Sequence, residues 1–177
     1  MKLYFKRTGH DGDASYLCIA DINGKCKYDL RRSDRLSKRI LIRDQGSRKD
    51  VAEVKQVLKS LMPKYQIIIG GEVVLEVKKE FHPILPKYTL SGSLGWEIRP
   101  MPIKYLYEVG KDGRFVMRSN GTQDVHWWGR GVQHFEIEYA EETDELAAVA
   151  LAVTINVAIE GEKFMRSREE IEERTKQ

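Results

Sequence analysis

Short runs of alternating hydrophobic and polar residues, separated by turn signals, fill most of this chain, and a period of two predicts strands. Residues 16–21 and 25–31 read as a hairpin around Asn23 and Gly24, a strong two-residue turn signal. Further runs cover 38–43, 51–58, 64–69, 72–81, 87–90, 95–99, 104–109, 114–119, 124–128 and 133–139. That makes roughly a dozen strands, with no long helical period before residue 141. Within 72–81 the expected inward row is Val73, Leu75 and Val77, which turns Glu76 and Lys78 outward.

The pattern changes at "ELAAVALAVTINVAIEG", residues 145–161, where no basic residue interrupts the apolar run. A membrane-spanning helix needs about 20 apolar residues, and 146–159 offers 14 that include Thr154 and Asn156. The second half, "VTINVAI", alternates like a strand, whereas "ELAAVALA" is rich in strong helix formers. Acidic Glu141, Glu142, Asp144 and Glu145 stand where a helix N-terminus favours negative charge, and Gly161 stands where a helix would end. A helix is therefore expected near 143–160. It is apolar on every side, as befits a helix surrounded by protein, and Asn156 then needs buried hydrogen-bond partners.

A mainly β chain with one such helix at its end predicts a closed antiparallel barrel of about twelve strands around a central hydrophobic C-terminal helix. Closure removes exposed sheet edges, and the helix fills an interior that strand side chains alone would leave open. One internal echo fits this picture. Met62-Pro63-Lys64-Tyr65-Gln66-Ile67 matches Leu85-Pro86-Lys87-Tyr88-Thr89-Leu90 at a spacing of 23 residues, as if two strands entered the sheet at similar corners.

Composition narrows the class. A chain of 177 residues and 20.5 kDa, 41 % hydrophobic and 32 % charged, suits one globular domain. The start, "MKLYFKRTGHDGD", lacks the apolar run of a secretory signal, so an intracellular protein is expected. Net charge is +3 but uneven: residues 1–50 carry 13 basic and 7 acidic side chains, residues 111–160 carry 4 and 9. In a two-residue hairpin, residue 21 faces 26 and residue 18 faces 29. Cys18 and Cys26 then project from opposite faces and are expected to be free thiols. Two thiols without nearby histidines are too few for zinc, so no metal and no cofactor are expected.

Residues 57–90, "VLKSLMPKYQIIIGGEVVLEVKKEFHPILPKYTL", resemble the central segment of LURP-one-related proteins, the group allied to the tubby C-terminal domain and to phospholipid scramblases. A leucine-rich turn leads to Pro63-Lys64-Tyr65; a hairpin follows, then Val77-Lys78-Lys79 running to Phe81, then Pro86-Lys87-Tyr88. The likeness covers roughly residues 1–160. It implies a twelve-stranded barrel enclosing a hydrophobic C-terminal helix, as a domain over 1–160 followed by a charged tail over 161–177. Tubby domains bind phosphoinositides and scramblases act at membranes, so the resemblance implies a lipid-facing role. No tubby lipid-contact residue is carried over, and 162–177 is charged where scramblases have a membrane anchor.

Candidate chemistry is sparse. His10, Asp11, Gly12 and Asp13 read as a turn rather than a metal loop. His126 and His134, near Glu136 and Glu138, are the only acid–base or zinc candidates; without a signature they read as strand-surface histidines. No nucleophile elbow, phosphate loop or HExxH motif is present, and no catalytic residue is expected. Trp127 and Trp128 would point to opposite faces, leaving one for a membrane interface or for packing. Lys64, Lys78, Lys79 and Lys87 form the candidate lipid- or anion-binding site, with Lys64 and Lys87 at matching strand starts. The expectation is a non-enzymatic cytoplasmic module, peripheral at a membrane, that binds anionic phospholipid or phosphoinositide. The alternative is a nucleic-acid or protein-binding module using the basic N-terminal third. Few aromatics stand among residues 25–49, which disfavours nucleic acid. A hydrolase built on His126 or His134 is the third class.

Overall fold

Alternation does dictate the architecture. The computed structural model describes residues 1–8, 16–32, 39–58, 62–82, 87–101, 106–123 and 133–159. Its strands are β1 (Lys2–Thr8), β2 (Tyr16–Ala20), β3 (Cys26–Arg32), β4 (Arg39–Asp44), β5 (Asp50–Leu58) and β6 (Lys64–Ile69). They continue as β7 (Glu72–Glu80), β8 (Lys87–Ser91), β9 (Glu97–Pro100), β10 (Leu106–Lys111), β11 (Arg114–Gln123) and β12 (Gln133–Tyr139). All pairs are antiparallel, in the order β8-β7-β6-β5-β4-β3-β2-β1-β12-β11-β10-β9. The result is a nearly closed barrel whose two sheet edges, β8 and β9, are joined by one turn with buried Trp96 beside it. Gly92 begins that turn at φ 135°, and a Cβ there would lie 2.4 Å from the Val74 carbonyl oxygen, so only glycine fits the seam.

β1 was not among the expected strands, although Leu3 and Phe5 alternate inward in it. It joins the two halves of the sheet by pairing β2 on one side and β12 on the other. The expected strand at 124–128 lies outside the described residues, as do His10, Asp11, Asp13, His126, Trp127, Trp128 and the tail at 161–177.

The expected central helix is present as α1 (Glu145–Val153), which continues as a π-helix over Thr154–Ile159. Every residue from Ala147 to Ile159 is buried against the inward rows of the barrel. Asn156 has the partners its burial demands: its amide donates to Ser119 Oγ at 3.1 Å and to the Ala152 carbonyl at 3.0 Å. Thr154 satisfies its hydroxyl on the Ala150 carbonyl at 2.7 Å.

The antiparallel order gives the barrel two unlike ends. Where α1 enters, strands are joined by short turns at 21–25, 45–49, 70–71, 92–96 and 112–113. The opposite end, which receives the C-terminal half of the helix, gathers the strand ends at Thr8, Tyr16, Arg32, Arg39, Leu58, Lys64, Glu80, Lys87, Pro100, Leu106, Gln123 and Gln133. Tyr65, at the start of β6, marks this second end by donating its hydroxyl to the Ala158 carbonyl at 3.2 Å.

Two departures from strict alternation correct the expectations. Three residues rather than two close the first hairpin, because the Asp21 carboxylate captures the amides of Asn23 and Lys25 at 2.9 Å each. Cys26 therefore faces Ala20, and Lys27 bulges so that Tyr28 still meets Ile19. Cys26 is thereby moved to the outer face that carries Cys18, and the two form a disulfide with a Cα–Cα distance of 5.9 Å. The expectation of two free thiols on opposite faces was wrong. A second bulge pairs Ile68 with Val73, which leaves Val73 exposed while Leu75 and Val77 stay buried.

Candidate functional site

The turn end is sealed by a buried charge. Glu145, in the first turn of α1, accepts hydrogen bonds from Tyr28 at 2.5 Å and from Tyr139, and its carboxylate pairs with the Lys27 ammonium at 2.5 Å. Lys27 is the extra residue of the β2–β3 bulge. Burial pushes the Glu145 carboxyl up, but the hydrogen bonds from Lys27, Tyr139 and Tyr28 outweigh it and hold the group below the ordinary carboxylate range. Burial and the same carboxylate push both phenols above their usual range. This cluster ties the helix to the barrel wall through Lys27, Tyr28 and Tyr139.

The expected lysines lie at the other end. β6 and β8 flank β7, so Lys64 faces Lys78 and Lys87 faces Glu80, all on the outer row. Lys64 and Lys87 thus share one end and one face of the sheet. Lys79 does not join them: it pairs with Tyr88 on the inward parity, and its amide donates to the Pro63 carbonyl at 3.0 Å. Carboxylates interleave with the lysines. Lys64 pairs with Glu76 at 2.6 Å and Lys78 with Glu80 at 3.7 Å. Gln66 and Lys64 hydrogen-bond the Glu76 carboxylate and hold it below its usual range. Lys87 is exposed and makes no ion pair among the described residues. The row is charge-alternating, with a small positive excess.

What sequence reasoning overlooked is apolar. Phe81, just past β7, is 81 % exposed, and Met62, just before β6, is 40 % exposed. Val57, near the end of β5, is also exposed at this rim. The signal was Phe81 following Lys78, Lys79 and Glu80, but periodicity does not say where a strand stops. Exposed apolar side chains also occur at the turn end, where Ile22 is 74 % exposed, though in a polar turn.

The other candidates gain little from the structure. His134, near the start of β12 and opposite Thr122, is exposed, and Glu136 is engaged by Lys2 at 2.6 Å. The basic N-terminal third is partly neutralised on the barrel wall, since Arg39 pairs with Glu53 at 2.5 Å and Arg43 with Asp50 at 2.9 Å. No helix among the described residues is long and apolar enough to cross a membrane.

Among known proteins, YxjI of Bacillus subtilis (strain 168), an uncharacterised protein, is 32 % identical to this chain over 114 residues, covering 64 % of the chain and 67 % of YxjI. No family model matches the chain. No solved structure matches it either.

Proposed function

This chain belongs to the family of Bacillus subtilis YxjI, and on that premise we propose that it is a non-enzymatic module that docks on anionic lipid bilayers through the loop end of its barrel. The observation that carries this reading is Phe81, 81 % exposed at the rim that also bears Met62 and the outer row of Lys64, Lys78 and Lys87. An aromatic side chain standing in water beside lysines fits the boundary between acyl chains and head groups. The LURP-one-related motif over 57–90 and the barrel around a buried helix support placing the family with tubby-like domains. The site of action in this reading is the cytoplasmic face of a membrane.

Magnitudes decide which part dominates. Burying Phe81 contributes about 1.5–3 kcal/mol. Each basic residue near an anionic surface contributes about 1 kcal/mol, but Glu76 and Glu80 offset two of the three lysines. Apolar insertion therefore leads, and electrostatics adds a modest preference for anionic lipid. The test is co-sedimentation of the full chain with neutral and anionic vesicles at low and physiological salt. The reading expects binding that favours anionic vesicles and weakens moderately with salt; absence of binding to every composition would overturn it.

A further inference from the structure

The hairpin bulge that moves Cys26 does more than permit a disulfide. Cys18 lies directly across the ladder from Asp29, and the displaced Cys26 shares their outer face. The two sulphurs and an Asp29 oxygen all lie within 4.8 Å of one another. Cys18 is buried, while Cys26 and Asp29 are half-buried. The Cys26 sulphur stands 3.3 Å from Asp29 Oδ1 and 3.5 Å from the Tyr28 carbonyl oxygen. A disulfide sulphur has no proton to offer either oxygen. A thiol has one, and a cation shared with the carboxylate would satisfy both partners.

We infer that Cys18, Cys26 and Asp29 form a redox-gated site for a soft divalent cation of the zinc class on the outer face of β2 and β3. Two thiolates and one carboxylate make a donor set that suits zinc, with water completing the tetrahedron. Two sulphurs on one zinc stand about 3.8 Å apart, from Zn–S bonds of about 2.3 Å. The bonded sulphurs therefore exclude the ion, and breaking the bridge lets the side chains open to hold it. The gate works by thiol–disulfide exchange with an external dithiol. Two electrons and two protons pass from that dithiol to Cys18 and Cys26, the Sγ–Sγ bond breaks, and the reductant becomes a disulfide. Binding of the cation then releases the two thiol protons to solvent. A reducing compartment thus selects the binding form and an oxidising one the closed form.

Cobalt(II) titration of the full chain, reduced with a dithiol that is then removed without oxygen, tests this directly. One ion per reduced chain is expected, with sulphur-to-cobalt charge-transfer absorption in the near ultraviolet that zinc displaces. The oxidised chain should show no such band, and Cys18→Ser and Cys26→Ser should each abolish it. Asp29→Asn leaves both sulphurs in place and keeps the test decisive if the cysteine variants fail to fold; it should keep the band but weaken binding about tenfold or more. Absence of the band in reduced, folded protein would overturn the inference. So would equal binding by the oxidised chain, wild-type affinity in Asp29→Asn, or a bridge that can be reduced only by unfolding.

Discussion

The two ends of the barrel solve opposite problems. At the turn end the chain reverses within two to five residues at each hairpin, and a buried carboxylate fixes the helix to the wall through Lys27, Tyr28 and Tyr139. At the loop end the helix is held by neutral hydrogen bonds, from Asn156 to Ser119 and from the Tyr65 hydroxyl to Ala158, and Phe81 is exposed. A buried, hydrogen-bonded charge is suited to stability and an exposed aromatic is suited to contact. The contrast teaches where to look for function: on the end whose side chains are not already spent on holding the fold together.

Substitutions can separate the two ends. The largest effect is expected from Glu145→Ala, which leaves two phenols and an ammonium without their shared acceptor; removing one member of a buried charged network costs about 3–5 kcal/mol. Urea denaturation measures it, and vesicle binding of the folded fraction should be unchanged. Gly92→Ala follows at about 2–4 kcal/mol, because its Cβ would press on the Val74 carbonyl at a backbone angle that glycine alone adopts comfortably.

The same carboxylate predicts how stability responds to acid. Its folded pKa lies below the unfolded value of about 4.3, so between the two the unfolded chain binds more protons than the folded one. The stabilisation is fully present above about pH 4.3 and is lost as pH falls through the folded value. Denaturation midpoints should fall more steeply for the natural chain than for Glu145→Gln as pH drops below about 4.3. At the loop end, by contrast, Phe81→Ala and Lys87→Glu should change stability by less than about 0.5 kcal/mol, because both side chains are exposed. An unfolding transition that moved with either would show that the rim helps hold the barrel.

Much of this was legible in the residues. Period-two runs marked the strands, and alanine-rich, all-round apolarity marked a buried helix over the segment that ends at Ile159. Leu3 and Phe5 carry the same alternation in β1, but two inward apolar residues flanked by Lys2, Lys6 and Arg7 are too short a run to mark a strand by pattern. The bulges were not legible. Whether Asn23 and Gly24 close a two- or three-residue loop depends on the Asp21 carboxylate reaching two amides, a competition that local pattern does not resolve. That single residue of slip decided whether Cys18 meets Cys26 and whether Lys27 reaches Glu145. Of the four candidate lysines, Lys64, Lys78 and Lys87 share the outer row and Lys79 does not, and Glu76 and Glu80, on the same parity, are legible in the residues as counter-charges. Phe81 needed the structure, because exposure at a strand end follows from where the sheet stops.

Ile22 at the turn end and Phe81 at the loop end are similarly exposed, 74 % and 81 %, and so form a matched pair. The most direct measurement is vesicle affinity for Ile22→Asp and Phe81→Asp beside the natural chain, on anionic vesicles at physiological salt. Loop-end docking predicts that Phe81→Asp weakens binding about tenfold or more, equivalent to about 1.4 kcal/mol or more, while Ile22→Asp binds as the natural chain does. Equal losses in both, or a loss confined to Ile22→Asp, would contradict it.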